Sequence, residues 1–76
     1  MSTADDVKTS IEANIPDAEV EVFGAGGHYE IEVVSAAFQG KRMLEQHRLV
    51  YSAIAHLMAG DSAPVHAVDK MICRVP

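Results

Sequence analysis

Two short stretches, Glu19-Val20-Glu21-Val22-Phe23 and Tyr29-Glu30-Ile31-Glu32-Val33, alternate apolar and acidic residues with period two. A side chain changes face at each step of a strand, so this alternation predicts two strands with one buried face. Between them lies Gly24-Ala25-Gly26-Gly27-His28. Glycine tolerates the positive φ of a tight turn, so the two strands read as a hairpin. Val20, Val22, Tyr29, Ile31 and Val33 fall on the face for burial, and Glu19, Glu21, Glu30 and Glu32 take the face for water. The glycine run also suggests a phosphate-binding loop. A dinucleotide fingerprint needs G-x-G-x-x-G opening a helix. Gly24 and Gly26 fit it, but Tyr29 stands where the third glycine belongs and a strand follows. The glycines are turn residues.

The remaining elements supply a cover for the hairpin. Thr3-x-x-Asp6 resembles a capping box with Asp in place of Glu, and Asp5 and Asp6 suit the positive end of a helix. Ala4, Val7, Ile11 and Ile15 then recur on one face, until Pro16 stops the run. Ser35 to Lys41 reads as a short helical turn ended by Gly40. The longest helix runs from about Arg42 to Met58, with Met43, His47, Val50, Tyr51, Ile54, Leu57 and Met58 at helical spacing. Full burial of a large apolar side chain contributes roughly 1.5–3 kcal/mol, which makes this helix the main cover on the sheet. Gly60 to Pro64 is a loop by composition. Val65 to Val75 is a last strand with an imperfect pattern. His66, Val68 and Ile72 share a parity, but Lys70 shares it too. Either a bulge near Asp69 shifts the register, or Lys70 lies near an edge and reaches solvent.

The order α-β-β-α-α-β places the chain in the α+β class. Its 76 residues make one domain with one core, burying ~60–65% of the unfolded surface. A hydrophobic content of 49% marks a globular chain, and without Trp the core falls to Val, Ile, Leu and Met. A net charge of -5 disfavours nucleic acid and anionic membrane as partners. The single Cys73 leaves no intrachain disulfide and no Cys-only metal site, and points to a reducing, cytoplasmic compartment. The opening MSTADDVKTS has no basic n-region or apolar h-region, so no signal peptide is expected. No apolar run approaches the ~20 residues of a membrane span. No nucleophile–base set or catalytic carboxylate pair appears, so the chain does not read as an enzyme.

Topology selects two histidines. The second strand starts at the hairpin tip beside His28 and runs away from it. A helix of ~25 Å, at 1.5 Å per residue, carries the chain back. If the last strand lies parallel beside the second, as a right-handed crossover allows, His66 also stands at the tip end. Adjacent strands are ~4.8 Å apart, which brings His28 and His66 within reach of a shared metal centre. His47 on the inner face of the long helix reads as structural, and His56 as a solvated helix residue. Cys73 reads as a small strand residue.

GGHYEIEVVS in the second strand, FQGKR before the long helix, QHRLVY inside it and VHAV at the last strand together resemble the BolA family. The resemblance covers nearly the whole chain. It implies a fold similar to type II KH domains: a three-stranded mixed sheet with helices on one face. It also implies a monothiol (CGFS-type) glutaredoxin as partner and a bridging [2Fe-2S] cluster. On that resemblance His66 matches the histidine that opens the last strand, and His28 the ligand from the hairpin loop. The glutaredoxin would supply its own cysteine and a glutathione thiolate. Two imidazoles and two thiolates resemble the ligand distribution of a Rieske centre. Imidazole titrates near pH ~6.5, so cluster binding is expected to weaken in acid. A homodimer of the free chain stays open.

The KH-like fold raises a second class, because some members of the family are described as transcriptional regulators. KH domains clamp a nucleic-acid backbone with a GXXG loop between helices. Phe38-Gln39-Gly40-Lys41 stands at that place with one glycine, and Gly24-Ala25-Gly26-Gly27 joins strands. A nucleic-acid role would therefore rest on Lys41, Arg42, Arg48, Lys70 and Arg74, against four glutamates on the exposed sheet face.

Overall fold

The computed structural model describes residues 2–76. The chain order is α1 (Thr3–Asn14), β1 (Glu19–Ala25), β2 (His28–Val34), a 3₁₀ turn (Ala36–Phe38), α2 (Met43–Met58) and β3 (Ala67–Arg74). The α+β order holds, with its second helical element reduced to the 3₁₀ turn.

Ser2, one residue earlier than expected, caps α1. Its hydroxyl accepts from the Asp5 N–H at 3.2 Å, and its own N–H donates to the Asp5 carboxylate at 3.4 Å. Two overlapping Ser/Thr-x-x-Asp boxes compete here, and serine is the better cap. At the other end Ile15 is extended, as the residue before Pro16 must be.

The short helical turn expected from Ser35 to Lys41 is present as a single 3₁₀ turn, set by side-chain and turn contacts. Ser35 Oγ accepts from the Ala37 N–H at 3.1 Å and donates to the Pro16 carbonyl at 2.7 Å. Gln39 (φ −61°, ψ 132°) and Gly40 (φ 76°) then form a type II turn, closed by the Lys41 N–H on the Phe38 carbonyl at 3.1 Å. That turn demands positive φ at Gly40, which a helix would not. Gln46 Nε2 donates to the Phe38 and Lys41 carbonyls, both at 3.1 Å, and ties the turn to α2.

The sheet order is β1-β2-β3, with β1 antiparallel and β3 parallel to β2. Val20 pairs with Val33 and Val22 with Ile31, while Glu21 faces Glu32. Val7, Ile11 and Ile15 of α1, Val20, Tyr29, Ile31 and Val33 of the sheet, and Val50, Ala53 and Ile54 of α2 join Phe38 and Val65 in one core. Both helices therefore cover the same face. Met43 and Tyr51, expected inward, are 70% and 40% exposed. α2 packs against α1 as well as the sheet, so its buried arc runs through Val50, Ala53 and Ile54 and leaves those two on its flank.

β3 resolves the Lys70 anomaly by a bulge. Tyr29 pairs with Val68, but Glu30 pairs with Lys70, so Asp69 is an extra residue without a counterpart on β2. Beyond it Met71 and Cys73 pair with Ile31 and Val33 and pack on the core, whereas Lys70, Ile72 and Arg74 pair with Glu30, Glu32 and Val34. Ile72 thus sits on the glutamate side, not with Val68. Two cations join that side: Lys70 in register with Glu30, and Arg74, whose Nη2 lies 3.4 Å from Glu32 Oε1. Among the described residues, no helix is long and apolar enough to cross a membrane.

Candidate metal centre

The hairpin closes on Gly26 and Gly27, with φ of 66° and 87°, between the paired residues Ala25 and His28. Positive φ at both central positions is the two-residue turn whose twist matches the strands. Gly24 and Ala25 belong to β1, so the turn is tighter than the glycine run suggested.

The parallel pairing of β2 and β3 brings the two histidines to this turn. The Gly27 carbonyl accepts from the His66 N–H at 2.8 Å and the Ala67 N–H at 3.0 Å, and His28 is in register with Ala67. β3 starts at Ala67, so His66 stands just before the strand rather than in it. Both histidines are exposed. Their rings meet different neighbours. The His66 ring lies against Gly27, where any Cβ would overlap its Cδ2. His28 shares the parity of Glu30 and Glu32, and its Nδ1 lies 3.3 Å from Asp69 Oδ1.

Among the described residues, no group of three or more His, Cys, Asp or Glu is placed to hold a metal ion. The two exposed imidazoles at one end of the sheet are two possible metal donors, fewer than the four ligands of a tetrahedral site. Cys73 cannot join them: it pairs with Val33, five strand positions from His28, or about 16 Å away. Burial pushes its thiol up to about 11, so it is a packed thiol and not a thiolate. His47 is half-buried on α2, and the exposed His56 places Nε2 3.2 Å from Ser10 Oγ.

The five basic residues do not form one surface. Lys41, Arg42 and Arg48 are exposed at the start and along α2, while Lys70 and Arg74 lie across the sheet among glutamates. Two residues near the histidines escaped the sequence reading. Gly27 reads from the sequence only as a turn residue, and its contact with His66 has no local signal. Asp69 did leave one, in the broken parity at Lys70.

The sequence profile of the family described as BolA-like protein matches residues 7–72. Protein BOLA2 of Arabidopsis thaliana is 39% identical over 80 residues, covering all of this chain and 82% of that protein. The DNA-binding transcriptional regulator BolA of Escherichia coli is 38% identical over 45 residues, 59% of this chain and 40% of its own length. The solved bolA homologue of Coxiella burnetii superposes with a TM-score of 0.82 at 34% identity, covering all of this chain and 94% of that one. By the reach of the profile and the identity and coverage of these relatives, the chain belongs to the BolA family.

Proposed function

We propose that this chain is an adaptor that binds a monothiol (CGFS-type) glutaredoxin and supplies His66 and His28 to a bridging [2Fe-2S] cluster. The observation that carries the proposal is the pairing of Gly27 and His28 with His66 and Ala67, which sets two exposed imidazoles at one end of the sheet. The partner supplies the thiolates, its own and that of glutathione. Histidine ligation of one iron raises the potential of such a cluster relative to all-thiolate ligation. A proton and a metal compete for the same imidazole lone pair, so acid releases the cluster. The role is assembly, transfer or iron sensing, without turnover on this chain.

The test mixes the purified chain with a CGFS-type glutaredoxin, iron, sulfide and glutathione, and records visible absorption and circular dichroism. His66→Ala is expected to abolish or reshape the cluster bands of the mixed complex. Unchanged bands would remove His66 from the ligand set. The name of the E. coli relative favours a second reading, a DNA-binding regulator. A salt titration of DNA binding separates it, because phosphate contacts give a steep loss of affinity with salt. The dispersed cations and the net charge of -5 favour the adaptor.

A further inference from the structure

The bulge in β3 adds a third side chain to the histidine end of the sheet. Asp69 has no partner on β2, because the register passes from Tyr29–Val68 straight to Glu30–Lys70. A bulged residue is freed from strict alternation, and its side chain is re-aimed. Here it is aimed at His28, with Oδ1 3.3 Å from Nδ1. Without the bulge, Asp69 would stand in register with Glu30, and two like charges would oppose each other. Both members of the pair are more than half exposed, so it does little to hold the fold together. Its consequence is orientation.

We propose that Asp69 is a positioning residue for His28. Its carboxylate accepts the Nδ1–H, which fixes the neutral ring in the tautomer whose lone pair is on Nε2. That atom lies across the ring from Nδ1 and so points away from Asp69, free to act as the donor. The bond made by one ring nitrogen decides which nitrogen can bind metal. The inference rests on the reading of His28 as a cluster ligand, but the ring state it specifies exists in the free chain.

The experiment has two arms. In the first, the free ¹⁵N-labelled chain is held at a pH where its imidazoles are neutral, and long-range ¹H–¹⁵N correlations report which nitrogen of His28 carries the proton. Wild type is expected to carry it on Nδ1. Asp69→Asn keeps an acceptor oxygen and keeps that tautomer; Asp69→Ala shifts the proton towards Nε2, with His47 and His56 unmoved. A His28 tautomer unchanged in Asp69→Ala, or an Nε2–H ring in wild type, overturns the proposal. In the second arm, the glutaredoxin complex is challenged with a chelator. Loss of an outer-shell partner weakens metal binding by roughly 10–100-fold, and this exposed pair belongs at the lower end. Asp69→Ala is expected to lose cluster about 10-fold faster, with Asp69→Asn close to wild type. If wild type assembles no cluster, the adaptor reading falls and the first arm still decides the role of Asp69. If cluster forms and Asp69→Ala changes neither ring nor rate, Asp69 falls and the ligand reading stands.

Discussion

Glycine at position 27 serves two demands that no other residue meets. Its φ of 87° is a left-handed conformation, and a Cβ there would overlap the His66 ring. Gly26 shares the first demand, with φ of 66°, but nothing lies within 4 Å of a Cβ there. The pair therefore separates backbone strain from ring displacement. Gly26→Ala is expected to lower stability by about 1 kcal/mol, and Gly27→Ala by about 2–3 kcal/mol. Only Gly27→Ala should move the His66 ring resonances, and denaturant melts with ring spectra check both. Cys73 offers a second residue-level test. Its thiol is pushed from 9.0 up to about 11 by burial, so it should react slowly with an alkylating agent at neutral pH and rapidly once the chain unfolds. The sign of its pH dependence follows. The unfolded thiol ionises first, so the stabilising contribution is complete below 9.0 and is lost as pH rises through about 11. A melting temperature that stays level across that range would contradict it.

At the level of elements, β3 carries one extra residue. Deleting Asp69 would make Val68 and Lys70 consecutive, as their partners Tyr29 and Glu30 already are, so the bulge would vanish while Met71 and Cys73 stay on the core side and Lys70, Ile72 and Arg74 on the glutamate side. The expected cost is about 1 kcal/mol or less, because no apolar side chain changes face; urea titration measures it. β3 also shows what was legible beforehand. Its parity conflict at Lys70 was visible in the sequence, but the choice between bulge and edge depended on Tyr29 and Glu30, far away along the chain. The hairpin was readable because alternation and glycine speak locally, and α1 because its period and Pro16 do. The turn after Ser35 was readable as helical and ended by Gly40, but its 3₁₀ and type II geometry was not, since Gln46 and Pro16 hold it from outside. The position of His28 and His66 at one end followed from crossover rules, whereas the neighbours of their rings depend on side-chain packing that carries no periodic signature.

The molecule as a whole is drawn together at Ser35. This fully buried hydroxyl donates to the Pro16 carbonyl after α1 and accepts from Ala37 in the 3₁₀ turn, and its N–H reaches the Arg74 carbonyl at the end of β3. Ser35→Ala strands a buried carbonyl and amide, so it should cost about 1–3 kcal/mol and lower the cooperative melting midpoint without moving the histidine end. That far end is spanned by the longest excursion of the chain, from β2 through the 3₁₀ turn and α2 back to β3. His28 and His66 stand at the two mouths of this excursion. Any ligand that grips both rings therefore acts as a removable staple on a loop of roughly 40 residues, a constraint worth about 4 kcal/mol in the chain-entropy model of cross-links. Handing the ligand on would open the staple, so delivery and loosening of the carrier would be the same event.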